Sequence, residues 1–459
     1  MRVLRSITMV AVAVLLAAAC DRATPVTPGP TPSPRTLTAA PSGSAAPGAG
    51  DWTTYHRDND RSGAVPDFPP VGALSTAWKA QLDGAVYGQP LVVGDTVYAA
   101  TEHDTVYALD AGTGAVRWST HIGEPMPRSQ LPCGNIDPLG ITSTMVYDPA
   151  TKLVFALAET TGAHHTLYGF DAATGAVRVT RAAEAPKGTP VAHQQRAALN
   201  LLDGRIYIAY GGLAGDCGRY IGSVVAIPTT GDGPALSYAV PTPREGGIWA
   251  PGGGIVHSGR LYYAVGNGES TTGYDHSDSV LAFDRDLHLL DSYSPATWAE
   301  DNARDLDLGS MTPTVVNGYV LIAGKRGVAY TLRPDRLGDI GGEVAQAKVC
   351  AGFGGAAVSG DVAYVPCTDG TRAVRVDPAG HISVLWHAPV ATNGSPVVGG
   401  GAVWAVTYPG GTLYALDPGT GAVRQQIAIG RAPNFASPTL AGGRVLVGTT
   451  TGVVAIRSG

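Results

Sequence analysis

The sequence predicts an all-β chain folded as an eight-bladed β-propeller of four-stranded antiparallel blades, and three observations carry that prediction. A short unit recurs, as TVYALDAGTGAVRW at 105–118, TLYGFDAATGAVRV at 166–179 and TLYALDPGTGAVRQ at 412–425. In each copy an apolar strand (in the first, Val106 and Ala108 alternating with Tyr107 and Leu109) runs into an aspartate, a Thr-Gly turn follows, and a second strand reverses direction, which is a β-hairpin. The composition agrees: 44% apolar and 15% charged residues, with 62 glycines and 34 prolines in 459 positions, suit a large core and too many turns for helices. Finally, one such hairpin cannot bury both faces, and self-similarity at roughly 40 to 60 residues marks radially repeated sheets rather than a sandwich.

In chain order, residues 1–20 hold two arginines, an apolar run and Ala17-Ala18-Ala19-Cys20, the layout of a secretory signal. It resembles a bacterial lipobox, which implies lipidation of Cys20 and a protein secreted and anchored to the outer face of the cell membrane. The alternative is an ordinary cleaved signal with an incidental Cys20. Residues 21–50 are Pro, Ser, Thr, Ala and Gly with few large apolar side chains, too little to offset the entropy of folding, so a disordered tether is expected. The propeller is assigned to 51–459. Without Cys20 four cysteines remain, which allow three pairings in an oxidising compartment. Cys350 and Cys367 flank a turn near Ser359-Gly360, which predicts their pairing and leaves Cys133 with Cys217.

Within 51–459 an order recurs of inner strand, Gly turn, apolar strand, aspartate-bearing strand and outer strand. Inner strands are predicted at 88–93, 141–147, 196–202, 251–257, 310–316, 354–359, 394–398 and 436–440, with small residues suited to the crowded axis. The third strands are expected at Val106, Leu167, Val224, Val280, Ala329, Ala373, Leu413 and Val453. The last blade lacks an outer strand, and the orphan strand at 76–82 around Trp78 supplies one, which closes the ring and removes sheet edges. Seven blades is the alternative, if the weak unit 351–386 is misread.

The repeats, through the pattern YALDxxTGxxxW, resemble the pyrroloquinoline quinone (PQQ) type of propeller repeat. That resemblance implies either a quinoprotein dehydrogenase or a non-catalytic envelope lipoprotein built from the same blades. A bound quinone needs an aromatic floor, cations for its carboxylates, a Ca²⁺ and a carboxylate base. The resemblance assigns Trp249 as floor, Asn267 and Asp216 as calcium ligands, Asp305 or Asp307 as base and Lys325 as quinone contact. Two of the family's features are missing, its adjacent cysteine pair and a glutamate metal ligand; Cys133 and the Asp216-Cys217 neighbourhood stand in those regions. Each candidate also has a structural explanation: Trp249 can cap the core, Gly266-Asn267-Gly268 is a turn, and paired aspartates bond backbone N–H groups.

A net charge of −6 without basic runs argues against nucleic acid. His164 and His165 are adjacent on a strand and face opposite ways, a poor metal pair. No CxxCH sequence occurs, so no c-type haem is attached. The expected function is a ligand- or protein-binding scaffold on the membrane, non-catalytic and monomeric, with a possible envelope partner. The alternative is a PQQ- and calcium-dependent dehydrogenase of alcohols or sugars.

Overall fold

The computed structural model describes Gly48 and Gly50–Gly459. The predicted signal with Cys20, and all of the tether but those two glycines, lie outside the described residues. The rest forms eight sheets, each built on four antiparallel strands. Blade one is Leu91–Val93, Thr96–Ala100, Thr105–Asp110 and Val116–His121, and the following blades repeat this order. Blade eight is completed by Leu74–Gln81, which pairs antiparallel with Gly452–Ser458 at the opposite end of the chain. The predicted closure and the count of eight are therefore both observed, and each third strand runs through the residue predicted for it.

The recurring unit holds the ring together in two ways. The Asp110 Oδ1 accepts the N–H groups of Gly112 and Thr113 and the Thr113 hydroxyl at 3.0, 2.9 and 2.9 Å, and Asp171 and Asp417 do the same in their own turns. The turn needs glycine: Gly114, Gly175 and Gly421 have φ of 75, 73 and 74°, a region costly for any residue with a Cβ. The outer-strand tryptophan then reaches the next blade. Trp118 Nε1–H donates to Ala172 O at 3.1 Å and its ring lies so close to Gly175 that a Cβ there would sit 2.5 Å from Trp118 Cε3. Trp78 repeats this on blade one, through Ala111 O and Gly114, and Trp386 on blade seven, through Pro418 O and Gly421.

Each innermost strand has only three residues, at or one residue past the end of its predicted window, and in the first, third, fourth and fifth blades the expected small residues are not on it. Leu91–Val93, Asn200–Leu202, Ile255–His257 and Thr314–Val316 carry large apolar side chains that fill the gaps between blades. The small residues precede these strands, as Ala197-Ala198, Gly252-Gly253-Gly254 and Gly354-Gly355-Ala356, where the chain enters the axis. Space is limiting there: a Cβ on Gly252 would lie 2.6 Å from the Thr312 hydroxyl oxygen, and one on Gly355 2.9 Å from the Tyr55 ring.

Tyr55 belongs to a segment that the repeat pattern leaves unexplained. Residues 52–63 run along the inner edges of the blades, with hydrogen bonds between Trp52 and Val92, Thr53 and Tyr147, Asn59 and Val256, Ser62 and Val358, and Gly63 and Val398. Trp52, His56 and Arg61 are fully buried in it. The Arg61 guanidinium is satisfied by the carbonyls of Tyr55, Leu199 and Gly254, as a buried cation requires. This strap plugs the axis and ties blades one, two, four, six and seven together.

Candidate active site

Beyond the strap, the loops that enter the inner strands and those that join second to third strands enclose a cavity of about 320 Å³, within the usual range of small-molecule sites. Trp249, Asn267, Asp305, Asp307, Lys325 and Asp216 all line it. These six residues come from the loops of three consecutive blades, and the structure brings together every one singled out in the sequence for a quinone or a metal.

Trp249 is pressed against bare backbone. A Cβ on Gly211 would lie 2.7 Å from Trp249 Cβ, and one on Gly266 3.3 Å from Trp249 Nε1, so the glycines on both sides let the indole settle on the chain. Phe435 lines the cavity beside it and Phe353 backs both, their ring centroids 6.1 and 6.2 Å from Trp249 and tilted to it, the two phenylalanines stacked on each other at 5.8 Å. Phe435 has φ of 65°, a conformation an aromatic residue adopts only when its surroundings impose it.

The two aspartates differ sharply. Asp305 caps the helix Trp298–Arg304 with left-handed backbone and its side chain is 62% exposed, whereas Asp307 is fully buried. Its loop is fixed by Leu308 N–H donating to Asp278 Oδ1 at 3.0 Å and Lys325 N–H to Asp307 O at 3.0 Å. Lys325 Nζ lies 2.6 Å from Asp305 Oδ1 and 2.6 Å from Asp307 Oδ2, while Asp307 Oδ1 has no hydrogen-bond partner. Burial raises the Asp307 carboxyl and Lys325 partly offsets this, leaving it at about 6. Burial alone would lower Lys325, but Asp307 and Asp305 outweigh it and hold the ammonium well above its ordinary range. An anionic oxygen buried against a cation and titrating near neutrality can accept a proton from a hydroxyl.

Asn267 is held by a turn whose Gly268 N–H donates to Asn302 Oδ1 at 2.8 Å, and Asp216 Oδ1 accepts the Tyr220 hydroxyl at 2.5 Å. Among the described residues no three His, Cys, Asp or Glu side chains are grouped to hold a metal ion. Cys133 pairs with Cys217 and Cys350 with Cys367. The first bridge ties the loop bearing Asn135 and Ile136 to the loop of residues 213–216, so it braces the cavity wall.

Arg196, Phe435, Tyr87 and Gln194 also line the cavity and were not picked out from the sequence. One signal was present for Arg196: a cation beside Ala197-Ala198, where the chain enters an axis with no room for a solvated side chain. His164 is exposed and His165 buried, as their alternation requires.

A sequence family described as outer membrane protein assembly factor BamB matches residues 72–133 and 369–458. The chain is 25% identical over 311 residues to a polyvinylalcohol dehydrogenase of Pseudomonas sp, covering 59% of this chain and 46% of that protein. It is 26% identical over 347 residues to a polyvinylalcohol dehydrogenase of Sphingopyxis sp. (strain 113P3), covering 62% and 49%. The chain thus spans less than half the length of these two curated relatives. Among solved structures, the quinohemoprotein alcohol dehydrogenase ADHIIG from Pseudomonas putida HK5 superposes with a TM-score of 0.69 over 90% of this chain and 80% of its own, at 15% identity, a likeness of fold alone. Repeat signature and ring together make the chain an eight-bladed β-propeller whose repeats are similar to those of quinoprotein dehydrogenases.

Proposed function

We propose that this propeller binds PQQ on Trp249 and oxidises an alcohol, with Asp307 as the base. The observation that carries the reading is the convergence of Trp249, Asn267, Asp307 and Lys325 on one cavity with a buried carboxylate oxygen left without a partner. The relatives' names support this catalytic alternative over the scaffold expected from the repeats, and the polymeric alcohol in two of those names makes poly(vinyl alcohol) a substrate to test.

The residues present fit the quinone. Trp249 and Phe435 offer aromatic faces to the cavity, and Lys325 and Arg196 stand at its wall. When bound, PQQ supplies the two-electron acceptor. The chain's own part is to orient and to move a proton: Asp307 takes the proton of the substrate hydroxyl on its free Oδ1, while Lys325 keeps the carboxylate ionised at neutral pH. Asp216 and Asn267 are the hard oxygen donors that calcium would use, an incomplete shell without further ligands.

Purified protein supplied with PQQ and Ca²⁺ is expected to reduce a dye when given short alcohols, sugars or poly(vinyl alcohol). Asp307→Asn should keep the quinone and lose roughly 10²-fold or more of the rate; no quinone retention and no dye reduction in the unaltered protein would overturn the reading. We further propose that the domain works outside the cell membrane, anchored through lipidated Cys20. Cys20→Ala should move it from the membrane pellet to the soluble fraction, and an unchanged distribution would count against the anchor.

A further inference from the structure

Arg196 is the one cavity-lining cation that lacks an acidic partner among the described residues. Its side chain is buried, with 6% of the residue exposed. One guanidinium nitrogen donates to Asn434 O at 3.0 Å, and the group packs over the rings of Phe435 and Tyr87 at 5.6 and 5.8 Å. No carboxylate lies within ion-pair distance of it, unlike Lys325, which is held between two. Glu102, the acid whose field it feels most, accepts from Gly140 N–H and the Thr142 hydroxyl on Oε2 at 2.8 and 3.0 Å, and its buried Oε1 makes no hydrogen bond, to Arg196 or to any other described residue.

The charge distribution therefore differs from the one the repeat resemblance implies. Lys325 is already paired with Asp305 and Asp307, a group that is net negative when both carboxyls are ionised. A buried guanidinium with one carbonyl and two aromatic faces is not balanced, and burying an unpaired charge is unfavourable unless something compensates it. Arg196 carries five N–H donors in a planar fork suited to a carboxylate, and it sits against the same Phe435 ring that forms the floor beside Trp249.

We propose that Arg196, rather than Lys325, anchors the ligand, by pairing with a carboxylate of an aromatic polycarboxylic acid laid on Trp249 and Phe435. This rests on the reading of the cavity as a quinone site, and it predicts which edge of the ligand carries the anion: the one facing blade three, away from Asp307.

The test is equilibrium binding by calorimetry with two probes, PQQ and benzene-1,2,4-tricarboxylate, which has the anionic edge but no quinone. Arg196→Gln is expected to weaken both by roughly 10- to 100-fold, the loss of a charged hydrogen-bond pair, and Arg196→Lys by less. Lys325→Met should weaken them less than Arg196→Gln does. The melting temperature of the ligand-free Arg196→Gln protein should stay level or rise, because an uncompensated buried charge is removed; a merely structural arginine would lower it. Binding equal to the unaltered protein in both Arg196 variants overturns the anchor and leaves the quinone reading intact. An unaltered protein that takes the tricarboxylate in an Arg196-dependent way but refuses PQQ sinks the quinone reading and keeps the anchor. Binding of neither probe overturns both.

Discussion

Replacing Lys325 with Met should destabilise the protein in a way that depends on pH, and the size follows from Asp307. In the folded protein that carboxyl titrates at about 6 against an ordinary 3.8, so the folded state keeps its proton to higher pH than the unfolded chain. Its contribution to stability falls as pH rises from about 3.8 to about 6 and is level above that. Without the ammonium 2.6 Å away the carboxyl stays protonated further, and the fall continues past pH 6. At pH 8, two units above the present midpoint of about 6, the added loss reaches at most about 2.7 kcal/mol, at about 1.36 kcal/mol per unit. At pH 5.5 this term is close to zero, leaving the losses that Asp307 does not set, the packing of the lysine stem and its exposed ion pair with Asp305. Urea denaturation of both proteins at pH 5.5, 7 and 8 measures this. A loss of equal size at all three values would show that Lys325 acts by packing and would remove the electrostatic basis for Asp307 as a base poised near neutrality.

His165, between Glu159 at 3.3 Å and Glu184 at 2.9 Å, would be lowered by burial alone but is lifted to about 9 by these two carboxylates; its stabilisation is whole below about pH 6.5 and lost as pH rises through about 9, so thermal melts of His165→Gln and the unaltered protein should converge above that. In a double-mutant cycle, Gly175→Ala should cost about 1 kcal/mol less in a Trp118→Ala background, since the ring it would meet is gone; strictly additive urea midpoints would deny the inter-blade contact. Removing the Cys133–Cys217 bridge by paired serine substitution should cost more stability than removing Cys350–Cys367, about 4–5 against about 3 kcal/mol from loop lengths of 84 and 17 residues on the chain-entropy account. The reverse order in urea denaturation would refute it.

The blades were legible because their repeat is written in local chemistry: an aspartate that bonds its own turn, a glycine with positive φ and a tryptophan that covers the next such glycine. The strand containing Trp78 could be placed because the count of strands demanded it. What the sequence conceals is what depends on the axis, where residues far apart in the chain meet. The strap at 52–63 has no repeat to betray it, and its role appears only when eight inner edges converge. The same holds for Arg196, whose meaning lies in Asn434, Phe435 and Tyr87, contributed by other parts of the ring. Small residues were correctly expected near the axis, at 197–198, 252–254 and 354–356, but the inner strands begin only after them and lie far enough out to pack large side chains between blades. The distinction between Asp305 and Asp307 was also out of reach, because it is set by a helix cap that turns one side chain to solvent and the next but one inward.

The central claim, that the cavity over Trp249 is a quinone site, is tested most directly by titrating the purified protein with PQQ in Ca²⁺-containing buffer and following heat and quinone absorbance together. One equivalent is expected to bind saturably, and Trp249→Ala should weaken it by roughly 5- to 10-fold, as the loss of a stacking face of about 1–1.5 kcal/mol requires. Absence of saturable binding, or binding that Trp249→Ala leaves unchanged, would contradict the account.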